Sequence, residues 1–331
     1  KRAFRKTLVG HRTQPTAQPQ RRTAPFSDSA RRRRPHHTRK EGVVAVDSAE
    51  SASRMSSFQA WFPQAKQTKT GAPRLRIVAF PNAGSAENVY TGQDKTAFRG
   101  LTGRRDNALM AWAKQTKVEI YAAQPPGRDL RMKEPALETA ALIARGAYDA
   151  LVSQNPSFFA DDAPPFAVMG HSMGTWVAYE FLKVLASEAK SQKKPTLLLL
   201  SGFPSPSLPE NERPWTRQSL LPKKEEFQAE CRAWDVNEAV FAEGMWAMYE
   251  PLLRADFKCF DEYPGIIVAD EAEKNALKEG NSLLFGVPVK AFFAAKDKRA
   301  TKATVATWGD VAADFELMEP AVQGNHLFFY D

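Results

Sequence analysis

A single serine between two glycines, in the order Gly-His-Ser-Met-Gly, constrains this chain more than any other feature. The stretch "FAVMGHSMGTWVAYEFL" (166–182) begins with apolar or small residues and continues past the motif with amphipathic spacing. This pattern predicts a strand that turns directly into a helix. A tight turn needs only one glycine, so Gly170 and Gly174 together indicate that the strand and helix backbones nearly touch. Ser172 is then either a nucleophile or a turn residue.

Strand and helix signals alternate on both sides of this motif. Such an order predicts the α/β class, with a mostly parallel sheet and helices on both of its faces. No internal repeat is found. The predicted strands are 74–80, 117–123, 166–170, 196–202, 287–295 and 315–320, and the predicted helices are 107–115, 136–154, 175–190 and 302–312.

The segment from about 204 to 286 interrupts the alternation. It starts Pro-rich and then carries Phe241, Met245, Met248 and Leu252 at helical spacing. Such a stripe is more often packing than a ligand site. On a helical insertion between late strands, however, it could both pack on the body and cover an apolar cavity. We interpret the segment as a lid inserted into one α/β domain that spans 55–331.

The excess positive charge is confined to the start of the chain. Residues 1–40 contain 13 Lys and Arg and one acid, whereas residues 41–331 contain 33 Lys and Arg against 37 Asp and Glu. The sequence predicts a disordered basic head over 1–54, because its Arg-, Pro- and Gln-rich composition buries little apolar surface. This head is interpreted as a transit peptide, a nucleic-acid-binding arm, or sequence upstream of a start at Met55. Nucleic-acid binding is the least favoured, and no nucleic-acid partner is predicted.

Length and composition narrow the class of protein further. A chain of 331 residues with 43% hydrophobic residues can bury a large core. No run approaches the roughly 18 apolar residues of a membrane helix, so a soluble protein without a membrane partner is predicted. Two cysteines, Cys231 and Cys259, form no disulfide framework and suit a reducing compartment. We expect a cytoplasmic monomer, or a plastid or mitochondrial protein if the head is a transit peptide.

A serine hydroxyl needs a base before it can act as a nucleophile. Three of the five histidines lie in the head and His171 lies inside the motif, so His326, after the last predicted strand, is the candidate base. The third group should be a carboxylate in the order Ser, Asp or Glu, His. Asp297, after the fifth predicted strand, has that position, with an exposed turn aspartate as the alternative. Asp310 and Asp314 flank the next helix and are expected to be solvated.

Gly-x-Ser-x-Gly between a strand and a helix is the pattern of a nucleophile elbow. An oxyanion hole requires two N–H groups, and one belongs to the residue after the serine, Met173. The other comes from a loop after an early strand, and Ala83 in "AFPNAGSAENVY" is the predicted donor. An ordinary glycine turn at Gly84 is the alternative. The elbow residues are Gly170, His171 and Gly174.

From about Arg74 to its end, the chain resembles the type II thioesterases of polyketide and nonribosomal-peptide pathways, within the α/β-hydrolases. "FPNAGSA" is similar to F-P-x-A-G-G-S, "QPPGRDLRMKEP" to Q-L-P-G-R-E-x-R-x-x-E-P, and "VMGHSMGTWVAYEFLK" to G-H-S-M-G-x-x-x-A-x-E. "PLLRADFKCFDEY" resembles P-x-L-R-A-D-F-x-x-x-E-x-Y and has no catalytic chemistry of its own, which makes it the most family-specific stretch. The terminal "GNHLFF" looks like G-G-H-F-F.

The resemblance implies an α/β-hydrolase fold with Ser172, Asp297 and His326 as the triad and with Ala83 and Met173 as oxyanion donors. It also implies hydrolysis of acyl groups from the phosphopantetheine arm of acyl or peptidyl carrier proteins, in polyketide, nonribosomal-peptide or fatty-acid synthesis. No metal and no bound cofactor are expected, because the carrier protein brings its own pantetheine.

Three departures from the family pattern concern loop geometry. Ser85 stands where the family has its second glycine, Asn325 replaces the glycine before the histidine, and the aspartate loop "AAKDKRA" lacks the usual glycines. Two other functions stay open at this point. One is a general carboxylesterase or lipase acting on oxygen esters, and the other is a carrier-binding module without turnover.

Overall fold

Short apolar runs form the strands of a single sheet. The structure is a computed structural model that describes residues 58–65, 69, 71, 73–92, 107–188, 193–265, 284 and 286–330. The strands are β1 (Leu75–Phe80), β2 (Val118–Ala122), β3 (Phe166–His171), β4 (Leu198–Ser201), β5 (Val289–Phe292) and β6 (Phe315–Leu317).

The sheet has the order β2-β1-β3-β4-β5-β6, and each neighbouring pair is parallel. The predicted mostly parallel sheet is therefore confirmed. All carboxyl ends of the strands lie at one edge, as parallel pairing requires. The strand order reverses between β1 and β3, so the loops that follow these two strands leave in opposite directions. Sheets of this kind bind ligands at such a switch point.

Helices cover both faces of the sheet, as predicted. Successive residues of a strand point to opposite faces. Phe166 and Val168 of β3 belong to one apolar cluster, and Ala167 belongs to a second cluster. The helices before β4 are α1 (Phe58–Trp61), α2 (Asn88–Thr91), α3 (Ala108–Thr116), α4 (Ala140–Gln154) and α5 (Met173–Glu188). The first cluster includes residues of α4 and α5, and the second includes residues of α2 and α3.

The segment between β4 and β5 extends beyond the described residues at 266–283 and 285, and its described part is helical. Its elements are α6 (Lys224–Ala233), α7 (Met245–Asp261) and the 3₁₀ helices Glu210–Glu212, Gln218–Leu220 and Glu238–Phe241; after β5 come α8 (Lys302–Ala306) and the 3₁₀ helix Thr307–Asp310. Helix α7 packs on the larger cluster through Trp246, Leu253, Phe257 and Phe260, all buried. The role of this segment as a lid stays a prediction.

The predicted apolar stripe in this segment is wrong in part. Phe241 ends a 3₁₀ helix, and Gly244, with a φ of 80°, separates it from α7. Met245 and Met248 are 38% and 50% exposed, whereas Leu252 is buried. The break at Gly244 removes only Phe241 from the stripe, and of the three residues on α7 only Leu252 is buried. The largest buried side chains of α7 are instead Trp246, Phe257 and Phe260.

Two predicted helices also have different boundaries. Helix α4 begins at Ala140 rather than 136, because the Thr139 side chain accepts a hydrogen bond from Leu142 N and caps the helix. The helix predicted over 302–312 is α-helical only to Ala306 and continues as 3₁₀ turns to Asp310. There the Trp308 indole is buried and donates to the Phe203 carbonyl at 2.9 Å.

All described residues belong to the unit Val46–Asp331. The predicted head and the boundary at residue 54 lie outside the described residues. Within the described ranges, no helix has the length and apolar character that crossing a membrane requires.

Candidate active site

The turn between β3 and α5 holds Ser172 in a backbone conformation that few residues other than glycine adopt. Its φ is 53°, and its N–H donates to the Ser201 carbonyl at 2.8 Å. A non-glycine residue with a positive φ stores strain and is typical of functional sites. The turn places the Ser172 side chain at the carboxyl edge of the sheet, and the residue is 5% exposed.

The two flanking glycines are required by close backbone contact. A β-carbon at Gly170 would lie 2.3 Å from the Gly174 carbonyl oxygen. A β-carbon at Gly174 would lie 2.1 Å from the carbonyl oxygen of Phe80, the last residue of β1. Helix α5 thus starts in contact with both β3 and β1, and no side chain fits at either glycine.

Ser172, His326 and Asp297 form one hydrogen-bonded chain. His326 Nε2 lies 2.8 Å from Ser172 Oγ, and His326 Nδ1 lies 2.7 Å from Asp297 Oδ2. The side chains of His326 and Asp297 are 2% and 1% exposed. These groups come from loops after β3, β5 and β6, which are brought to one edge by the parallel sheet. The arrangement can move a proton from the serine to the histidine.

Asp297 is held as a carboxylate. Burial raises its pKa, but the hydrogen bond from His326 and the backbone N–H groups of Ala300 and Arg299 outweigh burial and leave the pKa below its ordinary value of 3.8. Both N–H groups donate to Oδ1 at 2.9 Å. The second oxygen is therefore left for His326. This geometry fixes the imidazole tautomer with its proton on Nδ1.

The backbone of His326 is hydrogen-bonded on both sides. Its N–H donates to Asp235 Oδ2 at 3.1 Å, and its carbonyl oxygen lies 2.8 Å from His171 Nε2. Asp235 belongs to the segment between β4 and β5 and has a φ of 57°. The histidine is thus positioned by two residues outside its own loop.

His171 is neutral and serves as a hydrogen-bond donor inside the protein. Burial and the neighbouring His326 lower the pKa of His171 to about 3. A carbonyl oxygen can only accept, so Nε2 of His171 carries the proton and donates to His326. Its Nδ1 then accepts from the Ser201 hydroxyl at 2.9 Å. The predicted elbow residue His171 thus faces the interior, away from solvent.

The loop after β1 makes a tight turn beside the serine. Ser85 N donates to the Asn82 carbonyl at 3.2 Å, and Gly84 has a φ of 72°, as the third residue of a type II turn requires. Ala83 lines the same small cavity as Ser172 and His326. Met173 is the first residue of α5, where N–H groups have no acceptor within the helix. The two predicted oxyanion donors thus flank the serine.

The backbone does not require glycine at the three positions where the chain departs from the family pattern. The positive φ angles of these loops belong to Gly84 and Gly324, next to Ser85 and Asn325. Asn325 Oδ1 instead accepts from Leu327 N at 3.0 Å. Within the aspartate loop, among the described residues, no residue has a positive φ. Side chains at these positions are therefore compatible with the turns.

The cavity beside Ser172 is small in this conformation. Its volume is about 20 Å³, which is room for one or two water molecules. Trp234 packs against His326, with the two ring centroids 4.8 Å apart. The other lining residues are Asn82, Ala83, Val236, Phe257, Phe260 and Leu327.

The two cysteines do not compete with this site. Cys231 and Cys259 are buried free thiols, and burial raises the pKa of Cys231 to about 12. A thiol of this kind is inert at neutral pH. Among the residues that the structure describes, no group of three or more His, Cys, Asp or Glu is arranged to hold a metal ion.

Four residues near the site were missed by the sequence analysis. Trp234 and Asp235 carry no motif that indicates contact with His326. Arg128 and Asp256 lie inside the family-like stretches "QPPGR" and "LRADF", but nothing in the sequence pairs them.

The family model described as "Thioesterase domain" matches residues 109–331, which include the serine, the aspartate and the histidine of the site. A curated relative is "Gramicidin S biosynthesis protein GrsT" from Aneurinibacillus migulanus. It is 24% identical over 283 residues, and the match covers 84% of this chain and 91% of that protein.

Solved structures share the fold. The RedJ thioesterase from the prodiginine biosynthetic pathway in Streptomyces coelicolor is 24% identical, with 84% of this chain and 90% of that chain covered, at a TM-score of 0.57. The type II thioesterase BorB from the borrelidin biosynthetic cluster is 22% identical, with 78% and 87% covered, at a TM-score of 0.53. With the parallel sheet, these matches confirm the predicted α/β-hydrolase fold.

Proposed function

The chain belongs to the thioesterase domain family, and on that premise we propose that it hydrolyses acyl thioesters on the phosphopantetheine arm of a carrier protein, as a type II thioesterase. The observation that carries the proposal is the chain of hydrogen bonds from Ser172 through His326 to Asp297, at 2.8 and 2.7 Å. The triad order in the sequence and the burial of all three side chains support it.

In the first half of the reaction, the Ser172 oxygen attacks the thioester carbonyl carbon while His326 Nε2 takes the hydroxyl proton. The negative charge on the carbonyl oxygen is stabilised by the N–H groups of Ala83 and Met173. The carbon–sulfur bond then breaks, and the sulfur leaves with the proton from His326. Because a thiol has a pKa of about 8.5, it needs less acid assistance than the amine of an amide.

In the second half, a water molecule attacks the acyl-serine ester. His326 Nε2 accepts a proton from the water and returns it to the Ser172 oxygen as the ester bond breaks, which releases the acid. Asp297 stabilises the imidazolium form of His326 in both halves. The low pKa of Asp297 keeps it ionised at neutral pH.

The relatives support the choice of partner. GrsT is described as a gramicidin S biosynthesis protein, RedJ as a thioesterase of the prodiginine pathway and BorB as a type II thioesterase of the borrelidin cluster. An acyl or peptidyl carrier protein is thus the proposed partner, and no metal or bound cofactor enters the mechanism. The cytoplasmic location is also part of the proposal, since the GrsT relative is bacterial.

We further propose that the segment between β4 and β5 acts as a lid. A cavity of about 20 Å³ beside Ser172 cannot hold an acyl chain. Trp234 and Val236 form its cover, and both belong to this segment. Movement of these two side chains away from His326 would open a channel to Ser172, and its depth would set the acyl chain length.

The experiment that tests the proposal measures release of free acid by the full chain from an acyl-phosphopantetheinyl carrier protein and from a matched oxygen ester. Ser172→Ala is the test variant, and Ser187→Ala, an exposed serine on α5, is the matched control. Release from the carrier that is lost only in Ser172→Ala is expected. Faster turnover of the oxygen ester would favour a general carboxylesterase. Carrier binding without release would favour a non-catalytic binding module.

A further inference from the structure

Arg128 and Asp256 form a buried ion pair behind the turn that carries Ala83. Arg128 Nη2 lies 2.7 Å from Asp256 Oδ1, and Nη1 lies 3.0 Å from Oδ2. The two side chains are 2% and 0% exposed. Arg128 follows β2, and Asp256 lies on α7 in the segment between β4 and β5. The pair therefore joins two parts of the chain 128 residues apart.

The same two side chains hold the backbone of the turn. Gly84 N donates to Asp256 Oδ2 at 2.7 Å, and Arg128 Nη1 donates to the Ser85 carbonyl at 3.0 Å. Asp256 Oδ2 thus accepts from both Arg128 and Gly84. One N–H and one carbonyl on the two residues after Ala83 are fixed by side chains from outside the loop.

Packing also restricts the turn from the side of α7. A β-carbon at Gly84 would lie 2.8 Å from the Leu253 side chain. Leu253 precedes Asp256 by three residues, which is nearly one helical turn, so both face the loop. Helix α7 thus faces the turn with both Leu253 and Asp256.

A stabilising role alone does not account for this arrangement. Removing two charges from water costs free energy that their attraction often fails to offset, and apolar pairs of similar volume are frequently more stable. A bidentate pair also fixes the orientation of its two side chains, because the guanidinium and the carboxylate are planar and their hydrogen bonds are directional. Here these oriented side chains hold the turn next to Ser172.

We propose that Arg128 and Asp256 are positioning residues for the oxyanion hole: they fix the Asn82–Ser85 turn so that the Ala83 N–H faces the thioester oxygen in the transition state. This inference rests on the proposed function, in which Ala83 is an oxyanion donor. Neither side chain touches the substrate. Their effect is therefore expected on the transition state and not on substrate binding.

The test uses Asp256→Asn and Arg128→Lys in the full chain. Asparagine keeps the shape of aspartate but loses one acceptor oxygen, and lysine keeps the charge but loses the bidentate contact. We expect kcat for an acyl-pantetheine thioester to fall about 10- to 100-fold, with KM changed less than about 3-fold. If Asp256→Asn does not fold, Arg128→Lys carries the test.

A second readout separates positioning from structural support. In a trifluoromethyl ketone analogue of the acyl-pantetheine, the Ser172 oxygen adds to the ketone carbon, His326 takes the proton, and the ketone oxygen becomes an anion in the oxyanion hole. An ether analogue of the same length binds without forming this anion. In Asp256→Asn and Arg128→Lys, affinity for the ketone should fall by the same factor as kcat/KM. Affinity of the same variants for the ether should not change.

Glu134→Gln is the matched control, because it removes the charge of a neighbouring, partly buried ion pair, Arg131–Glu134, that lies outside the Asn82–Ser85 turn. It should affect thermal stability without changing the ratio of ketone to ether affinity. An unchanged ratio in folded Arg128→Lys, or an equal loss in the control, would overturn the proposal.

Failure of the proposed function has a different signature. Suppose that wild-type protein binds the ketone through Ser172 but releases no acid from a carrier thioester. This result would contradict the proposed carrier-thioester substrate. The positioning role could still be measured by the ratio of ketone to ether affinity. Wild-type protein whose ketone affinity equals its ether affinity would contradict both.

Discussion

The two walls of the Ser172 cavity are built in different ways. One wall includes Ser172, His326 and Ala83, on loops at the carboxyl edge of the sheet, with Asp297 behind His326. Its polar groups are tied by hydrogen bonds of 2.7–3.1 Å. The other wall consists of Trp234, Val236, Phe257 and Phe260, from the segment between β4 and β5, and is held by aromatic packing.

The polar wall therefore carries the groups proposed to react, and the aromatic wall determines the shape of the cavity. Hydrogen bonds are directional, and the polar wall inherits the geometry of a rigid parallel sheet, so the triad keeps its distances. Apolar side chains can be exchanged for others of similar volume more readily than hydrogen-bonded groups can, so substitutions in the aromatic wall can leave the hydrogen bonds among Ser172, His326 and Asp297 in place. The comparison predicts that substitutions in the polar wall reduce turnover and that those in the aromatic wall alter substrate choice.

The largest effect is expected at the acidic end of the triad. Asp297→Asn keeps the size of the side chain but no longer holds the His326 tautomer or stabilises its charged form. We expect kcat for the thioester to fall about 1,000- to 10,000-fold, measured by single-turnover acid release. Asp314→Asn, an exposed aspartate in the same region, should retain full activity. A loss below 10-fold in Asp297→Asn would mean that the polar wall is not a triad.

A change in the aromatic wall should alter selectivity at a cost in stability. Trp234→Ala removes a buried indole that contacts His326, and we expect a loss of about 3–5 kcal/mol in unfolding free energy. Longer acyl thioesters should gain in kcat/KM relative to short ones, because the cavity becomes larger. Trp246→Ala, which removes a buried indole that packs on Phe227 and Phe241, should lose stability without this shift in chain-length preference.

A smaller effect is expected at His171, the buried residue that donates to the His326 carbonyl. His171→Phe keeps a ring of similar size but removes the donor to the His326 carbonyl. An unpaired buried carbonyl costs about 1–3 kcal/mol of stability, and displacement of His326 should lower kcat by about 10-fold. His171→Gln, whose amide can donate to the same carbonyl, should recover part of both. Equal kcat in all three proteins would show that His326 does not depend on this contact.

The smallest effect concerns pH. Asp261, at the end of α7, accepts from Gln218 N at 2.6 Å, while its Oδ1 has no partner among the described residues. Burial raises the pKa of Asp261 to about 7 from an ordinary 3.8. Between about pH 4 and about pH 7, Asp261 is therefore protonated in the folded protein and ionised in the unfolded chain. The stability of the folded protein falls as pH rises from about 4 to about 7 and changes little above.

Asp261→Asn should remove this dependence. We expect the unfolding free energy of the variant, relative to wild type, to rise by roughly 1–3 kcal/mol between pH 5 and pH 8. Chemical denaturation at the two pH values measures it. Glu262→Gln, the more exposed neighbouring carboxylate, should show no such rise. A flat difference for Asp261→Asn would mean that Asp261 is ionised in the folded protein at pH 5.

Much of the fold followed from local pattern and chain order. Alternating apolar runs predicted the parallel sheet, and the glycines around Ser172 predicted the close approach of strand and helix. The order of Asp297 and His326 after later strands predicted that they meet Ser172, because parallel strands end at one edge. The start of α4 and the break before α7 were predicted less well, since a side-chain cap and a single glycine decided them.

The sequence by itself determined the sheet, the elbow and the candidates for the triad, because those depend on residue type, spacing and strand order. Only the tertiary structure decided that Arg128 and Asp256 hold the turn of Ala83, that Asp235 contacts His326 and that Trp234 covers the cavity. These contacts join residues 43 to 172 positions apart. They depend on how side chains of an irregular helical segment pack on the sheet, and no local periodicity encodes that packing.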